Sequence, residues 1–460
     1  MPVQTTTDCF LFPELFSRPV VASFDEDLAS SDGGAVLLKA ADRRVGLTGA
    51  MSEVLWERRQ PGKVKHLLDE LLSQRIYAIA CGYPDANDAA RLGDDPIHKM
   101  LIGRDPADGT PLASQPTLSR FENTVSRTDL LRLGYVLLEQ VLTRHRRRLG
   151  RRRVRRITLD LDVSHDPTHG GQQLSFFHGH YDTYCYLPLF GFVTFNDEAE
   201  QYLCAALLRP GNAPDKHGTV PLLERLLPAI RKEFPKARIL VRLDGGFRAA
   251  EILNFLDEQP KVDFVVGYAT NEVLEPVTFE SLCASWAAWR DGETGSKSYG
   301  ECLYKAGTWK RARRVIFKTE IVSHPGRDLK ENVRFVVTNL PQSPKWIYER
   351  IYCLRGDVEN RIKELKDDLQ IDRTSCSRFL ANQMRVLLTA AAYVLMQELR
   401  LHLARTRAPR CRTFIIRDHL LKIGARVVAS VRRVVLHLPR SYPFLDLWAH
   451  LAQRLGAQCS

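Results

Sequence analysis

Four acidic residues carry the chemistry worth pursuing in this sequence. In ITLDLDVS, residues 157–164, Asp160 and Asp162 stand two apart among Leu159, Leu161 and Val163. A strand turns successive side chains to opposite faces, so both aspartates share one face and the aliphatic residues the other. Farther on, RILVRLDGG ends an otherwise apolar strand on Asp244. A carboxylate there is costly to bury unless it is paired or binds a cation. The fourth acid is Glu359, within IYCLRGDVENRIKELKDDL. Two acids from neighbouring strands and one from a covering helix can hold two divalent ions. Such a pair stabilises the attacking and leaving oxygens of an in-line displacement at phosphorus. All-oxygen ligation favours magnesium or manganese over zinc. The residues alone leave Asp160 and Asp162 as competitors for the first position.

The segment around Glu359 is expected to be helical, within one long helix over about 343–370. Advancing roughly 100° per residue from Tyr352, Arg355 falls at about −60°, Glu359 at about −20° and Lys366 at about −40°. These four polar residues share one arc. Leu354, Val358, Ile362, Leu365 and Leu369 form the adjoining apolar stripe, while Asp357 and Glu364 fall on the far side. Glu359 is therefore expected at the margin of the core, and Glu364 on the solvent face.

The positioning elements are legible in outline. Residues 1 to about 140 read as mostly helical, and LASQPTLSRFEN as a loop in which Ser114 or Thr117 caps a helix with Pro116 in its first turn. From residue 157 the pattern changes to three strands expected as an antiparallel meander, then a helix at 218–234, a strand ending at Asp244, a helix at 249–258 and a further strand. That order predicts an α/β fold, a mixed sheet with flanking helices. Residues 272–341 break the rhythm as a β-rich insertion, and two long helices, about 343–370 and 377–405, follow. The expected division is 1–150, a helical N-terminal DNA-binding region; 151–271, the first part of the catalytic core; 272–341, the insertion; 342–408, the second part with the glutamate helix; and 409–460, a C-terminal region.

Charge points to a polyanion. The net charge is +12, and between Arg144 and Arg156 nine arginines stand without an acid, which leaves 12 − 9 = +3 for the remainder. Neutralising phosphates releases condensed counterions, so such a run suits DNA and makes no sense for a glycosidase acting on a neutral sugar. Ten cysteines occur singly, without a Cys-x-x-Cys pair, which argues against a zinc framework or a disulfide scaffold. The first residues lack the pattern of a signal peptide, and the longest apolar run, near 386–396, is half a membrane span. A cytoplasmic protein without membrane contact is expected.

Lesser signals are His165, His169, His178 and His180, read as hydrogen-bonding groups near the first aspartate. Trp309 with Lys310, Arg311, Arg313 and Arg314 suits DNA-backbone contact from the insertion. Tyr268, Asn271 and Asn339 are candidates to line the site.

Tyr352-x2-Arg355-x3-Glu359-x6-Lys366 resembles the Tyr/Arg/Glu/Lys signature of insertion-sequence DDE transposases. LDLDVSHDPTHGGQQLSFFHGHYD, VRLDGGFR and LASQPTLSRFEN resemble the group-1 DDE-domain branch, over about residues 8–450. The resemblance implies a ribonuclease-H-like core interrupted by the β-rich insertion. It implies Asp162, with Ser164 two residues on, as first carboxylate, and Asp244 and Glu359 as second and third, holding two Mg2+ or Mn2+ ions. Asp160 remains the competitor. Tyr352, Arg355 and Lys366, joined by Arg248 and by Arg151, Arg152 and Arg153, are the expected DNA contacts. By the same resemblance the protein binds terminal inverted repeats, frees 3′-hydroxyls and joins them to target DNA, in cut-and-paste fashion, as a homodimer on paired double-stranded ends, in a cytoplasm where bound DNA places it at the bacterial nucleoid. Rival readings are a nuclease of the same fold without strand transfer, and a transposase-derived DNA-binding protein without catalysis.

Overall fold

The apolar runs between residues 156 and 268 become neighbouring strands, and what covers their two faces decides the rest of the architecture. The computed structural model describes residues 9–214, 216–291, 297–322 and 328–458. The chain begins with a hairpin of β1 (Cys9–Phe12) and β2 (Val20–Ser23), then a short β3 (Ala29–Ser30); these strands were not expected in a region read as mostly helical. Helices follow, ending in Arg127–Leu149. That helix starts on a reciprocal cap: Asp129 N–H donates to the Ser126 hydroxyl at 3.2 Å, and Ser126 N–H donates to the Asp129 carboxylate at 2.8 Å. Ser114 is the N-cap residue of helix Gln115–Asn123, with Pro116 in its first turn, although its hydroxyl meets that of Thr117 rather than a backbone N–H.

The centre is built from β4 (Arg156–Val163), then β5 (Asp166–Pro167), β6 (Phe176–His178) and β7 (Thr183–Tyr186) as a small separate sheet, then β8 (Leu189–Phe195), β9 (Tyr202–Leu207), β10 (Arg238–Leu243) and β11 (Val262–Tyr268). Helices Thr219–Glu233 and Ala250–Glu258 connect β9 to β10 and β10 to β11. The strands lie in the order β9-β8-β4-β10-β11, antiparallel through the first three, with β10 parallel to both β4 and β11. A three-strand meander followed by two helical crossovers in this order is the ribonuclease-H-like topology. β8 is buried along its whole length and β4 at all but its end residues, as expected where helices cover both faces.

The segment expected as a β-rich insertion holds helix Phe279–Arg290 and strands β12 (Lys297–Tyr304), β13 (Arg313–Val322) and β14 (Lys330–Thr338). The three strands do not make a sheet of their own. β14 pairs antiparallel with β11, and the central sheet grows to eight strands, ending β11-β14-β13-β12. An otherwise open edge of β11 is thereby paired.

The single helix expected over about 343–370 is broken. A turn of α-helix (Pro344–Ile347) passes into a π turn (Tyr348–Tyr352) and a 3-10 turn (Cys353–Gly356) before regular helix resumes at Asp357–Leu369. A tertiary bond coincides with the break: Arg242 Nη1 of β10 donates to the Ile351 carbonyl at 3.0 Å. Helix Phe379–Leu403 follows. Its length and composition would suffice to cross a membrane, yet 89% of its apolar window is buried within the protein, so it serves as a core helix.

The tail forms β15 (Ala425–Ala429), β16 (Val434–His437) and helix Leu445–Arg454. β15 pairs with β3, joining the two ends of the chain. Gly34 belongs to that junction: a Cβ there would collide with the Leu420 carbonyl. Nearby, the buried Asp32 carboxylate receives Lys422 Nζ at 2.7 Å and His98 Nε2 at 2.8 Å.

Candidate active site

Strand register brings the first two carboxylates level. β10 runs parallel to β4 with Arg238 opposite Arg156 and Arg242 opposite Asp160. Continuing two residues at the same offset of 82 sets Asp244 opposite Asp162 (242 − 160 = 244 − 162), on strands about 5 Å apart. Asp244 directly follows the last residue of β10, and its carboxylate accepts the Gly246 N–H at 2.9 Å, which fixes the turn. Asp162 is 7% exposed and accepts the N–H of Val163. Burial, opposed by Arg355 but reinforced by the negative charges of Asp244 and Glu359, raises its pKa to about 7. A carboxylate in that setting favours a cation beside it.

Arg355 connects the strands to the helix. Its Nη1 lies 3.2 Å from Asp162 Oδ2 and its Nη2 3.7 Å from Glu359 Oε1. Asp244 also acts on Arg355 through its charge. Arg355 therefore contacts Asp162 and Glu359 and feels the charge of Asp244, although the ligand atoms of the three acids do not all lie within 4.8 Å of one another. Glu359 has 60% of its side chain exposed, in the first turn of its helix. Tyr352 packs its hydroxyl against Gly267 of β11, where a Cβ would come within 2.5 Å of it, and it feels the charges of Arg355 and Asp244. Lys366 Nζ donates to the His165 carbonyl at 2.9 Å, just past the end of β4. The π and 3-10 turns thus still leave Tyr352, Arg355, Glu359 and Lys366 along the carboxyl edge of β4 and β10.

Asp160 has a different partner. It is fully buried, and Arg242 Nε and an Nη each reach one of its oxygens at 2.7 Å. The same guanidinium holds the Ile351 carbonyl. Asp160 and Arg242 therefore position the entry to the glutamate helix. Sequence reasoning missed Arg242, although a lone arginine inside ILVRL, two residues before Asp244, signals a buried acidic partner.

The remaining expectations divide. Arg248 is exposed beside the site and donates to the Gly245 carbonyl. Arg151, Arg152 and Arg153 are exposed too, but they precede β4, whose first residue, Arg156, is already about 20 Å from Asp162 at strand rise. The structure does not bring them to the carboxylates. Within the same run Arg144 pairs with Glu398, Arg148 with Glu198 and Arg156 with Asp197. His165 stacks on Tyr181 at 4.6 Å, and His178 and His180 also contact that ring.

Several readings need correction. Glu364 is not on a solvent face: it is 1% exposed, accepts from Tyr393 Oη and Thr413 N–H at 2.7 Å each, and pairs with Arg361 and Arg400. Helix Phe379–Leu403 and the Thr413 segment cover the side that a two-layer view leaves open. In the Trp309 cluster each cation already has an acidic partner, Arg311 and Arg313 pairing with Asp257, Lys310 with Glu258 and Arg314 with Glu301, while Lys310 and Arg311 stay largely exposed. Trp309 itself is buried against Arg313. Asn339 bridges the backbone at Val262 and Phe264, and Asn271 caps its own turn. Tyr268 packs against Tyr304 and Trp309.

The group of metal-ligand type that does close within 4.8 Å, among the described residues, is Asp32, Cys81 and His98. Lys422 already neutralises Asp32 there. The all-oxygen set at Asp162, Asp244 and Glu359 is the better match to a hard divalent ion.

Comparison with known proteins adds three findings. The family model described as transposase DDE domain group 1 matches residues 12–459. No curated protein matches the chain. Among solved structures, the cryo-EM structure of a piggyBac transposase synaptic complex with hairpin DNA is similar at a TM-score of 0.41 and 10% identity, covering 93% of this chain and 82% of that one.

Proposed function

Because the chain belongs to the group-1 family of DDE transposase domains, we propose that it binds the terminal inverted repeats of an insertion sequence, cuts there and joins the freed ends to target DNA. The observation that supports this reading is Arg355 linking Asp162 to Glu359, with the charge of Asp244 acting on Asp162 and the β4–β10 register, continued two residues, bringing the two aspartates level. Asp162, Asp244 and Glu359 would hold a pair of Mg2+ or Mn2+ ions, whose chemistry is to neutralise phosphate charge and lower the pKa of a bound hydroxyl. Asp160 is reserved for Arg242, which favours Asp162 as the first carboxylate.

In the first reaction a water oxygen bonds to phosphorus and the bond from phosphorus to the 3′ oxygen breaks, which leaves a 3′-hydroxyl and a 5′-phosphate. In the second, that 3′ oxygen bonds to a target phosphorus and displaces another 3′ oxygen, so the number of phosphodiester bonds is conserved. Arg355 and Lys366 give a fork and a point charge for the phosphates flanking the cut. Tyr352, set against Gly267 beside Asp244, gives a hydroxyl at the same edge. No covalent protein–DNA link is needed. Cut-and-paste excision by a homodimer on two paired ends, in the cytoplasm and at the nucleoid, completes the proposal.

Strand transfer is the discriminating experiment. Precleaved ends from the DNA flanking this reading frame, mixed with Mg2+ and a plasmid, should give end-joined plasmid that wild type forms and Asp244→Asn does not. Cleavage of uncut ends without any joining would identify a nuclease instead.

A further inference from the structure

The first hairpin is apolar, and its large side chains are exposed among the described residues. Phe10, Leu11, Phe12, Leu15, Phe16, Val21 and Phe24 are 46–84% exposed. Phe10 and Phe12 share one face of the β1–β2 ribbon, with Phe24 edge-on to Phe10 at 6.4 Å, while Leu11 and Val21 share the other. Leu28 and β3, just after the hairpin, join it to the body of the protein. Side chains of this size left in water mark an interaction site.

The same chain carries an unfilled apolar groove of about 410 Å³. Leu131, Leu138, Leu222, Leu226, Phe379 and Leu380 are among its lining residues, from helices Arg127–Leu149, Thr219–Glu233 and Phe379–Leu403. No residue of the hairpin lines it. Charge complements the fit. Residues 9–28 hold Glu14, Asp25, Glu26 and Asp27 against Arg18, a net −3, whereas the described groove lining includes Arg127, Arg225 and His217 and no acid.

We propose that the N-terminal hairpin of one copy docks in the groove of a second copy, and the second copy's hairpin in the first. Each chain holds both unmatched halves, and a reciprocal exchange satisfies both in a closed two-fold pair. The area suffices: Phe10, Phe12, Phe16 and Phe24 are 49%, 46%, 65% and 84% exposed, so at ~150 Å² for a whole ring they can bury about 370 Å² per arm. Two arms contribute roughly 730 Å², and a comparable area from the two grooves brings the pair to about 1,500 Å², within the range of stable interfaces at roughly 1,200–2,000 Å². The exchange forms without DNA, so its failure would leave the phosphoryl-transfer reading standing.

Cys9 lies exposed on β1 and supplies the probe. In the full chain carrying Leu131→Cys, a bismaleimide crosslinker should give a dimer-sized band on a denaturing gel. That band should vanish in L131C/C9S and in C9 protein without the Leu131 substitution. In parallel, the triple variant Phe10→Ser/Phe12→Ser/Phe24→Ser should weaken dimerisation about 100-fold or more by sedimentation, with the same melting curve as wild type at dilutions where both are monomeric. A crosslink confined to the monomer band, no Cys9-dependent crosslink, or a triple variant that dimerises like wild type would each overturn the exchange.

Discussion

Arg355 meets two of the three acids, which gives its shape a function that its charge alone cannot serve. A planar fork reaches Asp162 with one nitrogen and Glu359 with the other. A lysine offers one point charge on a flexible stem. Arg355→Lys should therefore lower end cleavage by roughly 10–100-fold while leaving gel-shift affinity for the end within a few fold; an equally active lysine variant would show that bridging is irrelevant. Glu364, only five residues past Glu359, makes the opposite point. Its contacts to Tyr393, Thr413 and Arg400 are those of a buried structural charge. Glu364→Gln should cost about 3 kcal/mol or more of stability, read from urea unfolding, instead of passing unnoticed as a surface change would. Asp166 sets a pH dependence. Burial raises its pKa from 3.8 to about 8, with Asp372 adding to the rise and Thr374 and Lys366 opposing it. The native chain therefore keeps a proton that the unfolded chain releases between those values, and this group's contribution to stability falls as pH rises from about 4 to about 8. In Asp166→Asn that fall should shrink, by on the order of 1–3 kcal/mol across the window. Parallel unfolding profiles for the two proteins would refute the assignment.

At the scale of elements, the edge that holds the candidate carboxylates depends on one buried clamp. Asp160 and Arg242 join β4 to β10, and Arg242 also takes the Ile351 carbonyl where the helix breaks. Removing one member leaves an uncompensated charge, which typically costs about 3–5 kcal/mol. Asp160→Asn should lower stability by that order yet retain metal-dependent cleavage below its melting point, whereas Asp162→Asn should lose cleavage and keep its fold. Equal loss of chemistry in both, at matched stability, would return Asp160 to the candidate carboxylates. The break itself was not legible in the sequence. The spacing of Val358, Ile362, Leu365 and Leu369 reports a helix with a buried stripe, but a hydrogen bond from a residue more than a hundred positions away leaves no local pattern. Arg355, Glu359 and Lys366 still face one edge, because the regular helix resumes at Asp357, before the last two.

For the whole molecule, what the sequence revealed were the elements whose burial is one-dimensional. Doubly covered strands read as apolar runs, and β8 and β10 were found that way, while β4 showed itself by alternating apolar and acidic residues. What stayed hidden was what packs beyond the first neighbours. The insertion's strands extend the central sheet, helix Phe379–Leu403 closes over Glu364, and paired acids absorb the Trp309 cluster. The arginine run was visible, but its distance from Asp162 follows only from the direction of β4. All these placements leave three acids and one arginine at a single sheet edge. The direct test is Mg2+-dependent cleavage of DNA carrying the flanks of this reading frame, comparing wild type with Glu359→Gln at equal end binding. Cleavage should fall by at least ~10³-fold with binding changed no more than a few fold, and chelation should silence the wild type. A glutamine variant that cuts within tenfold of wild type would contradict the assignment of this edge as the centre that cuts DNA.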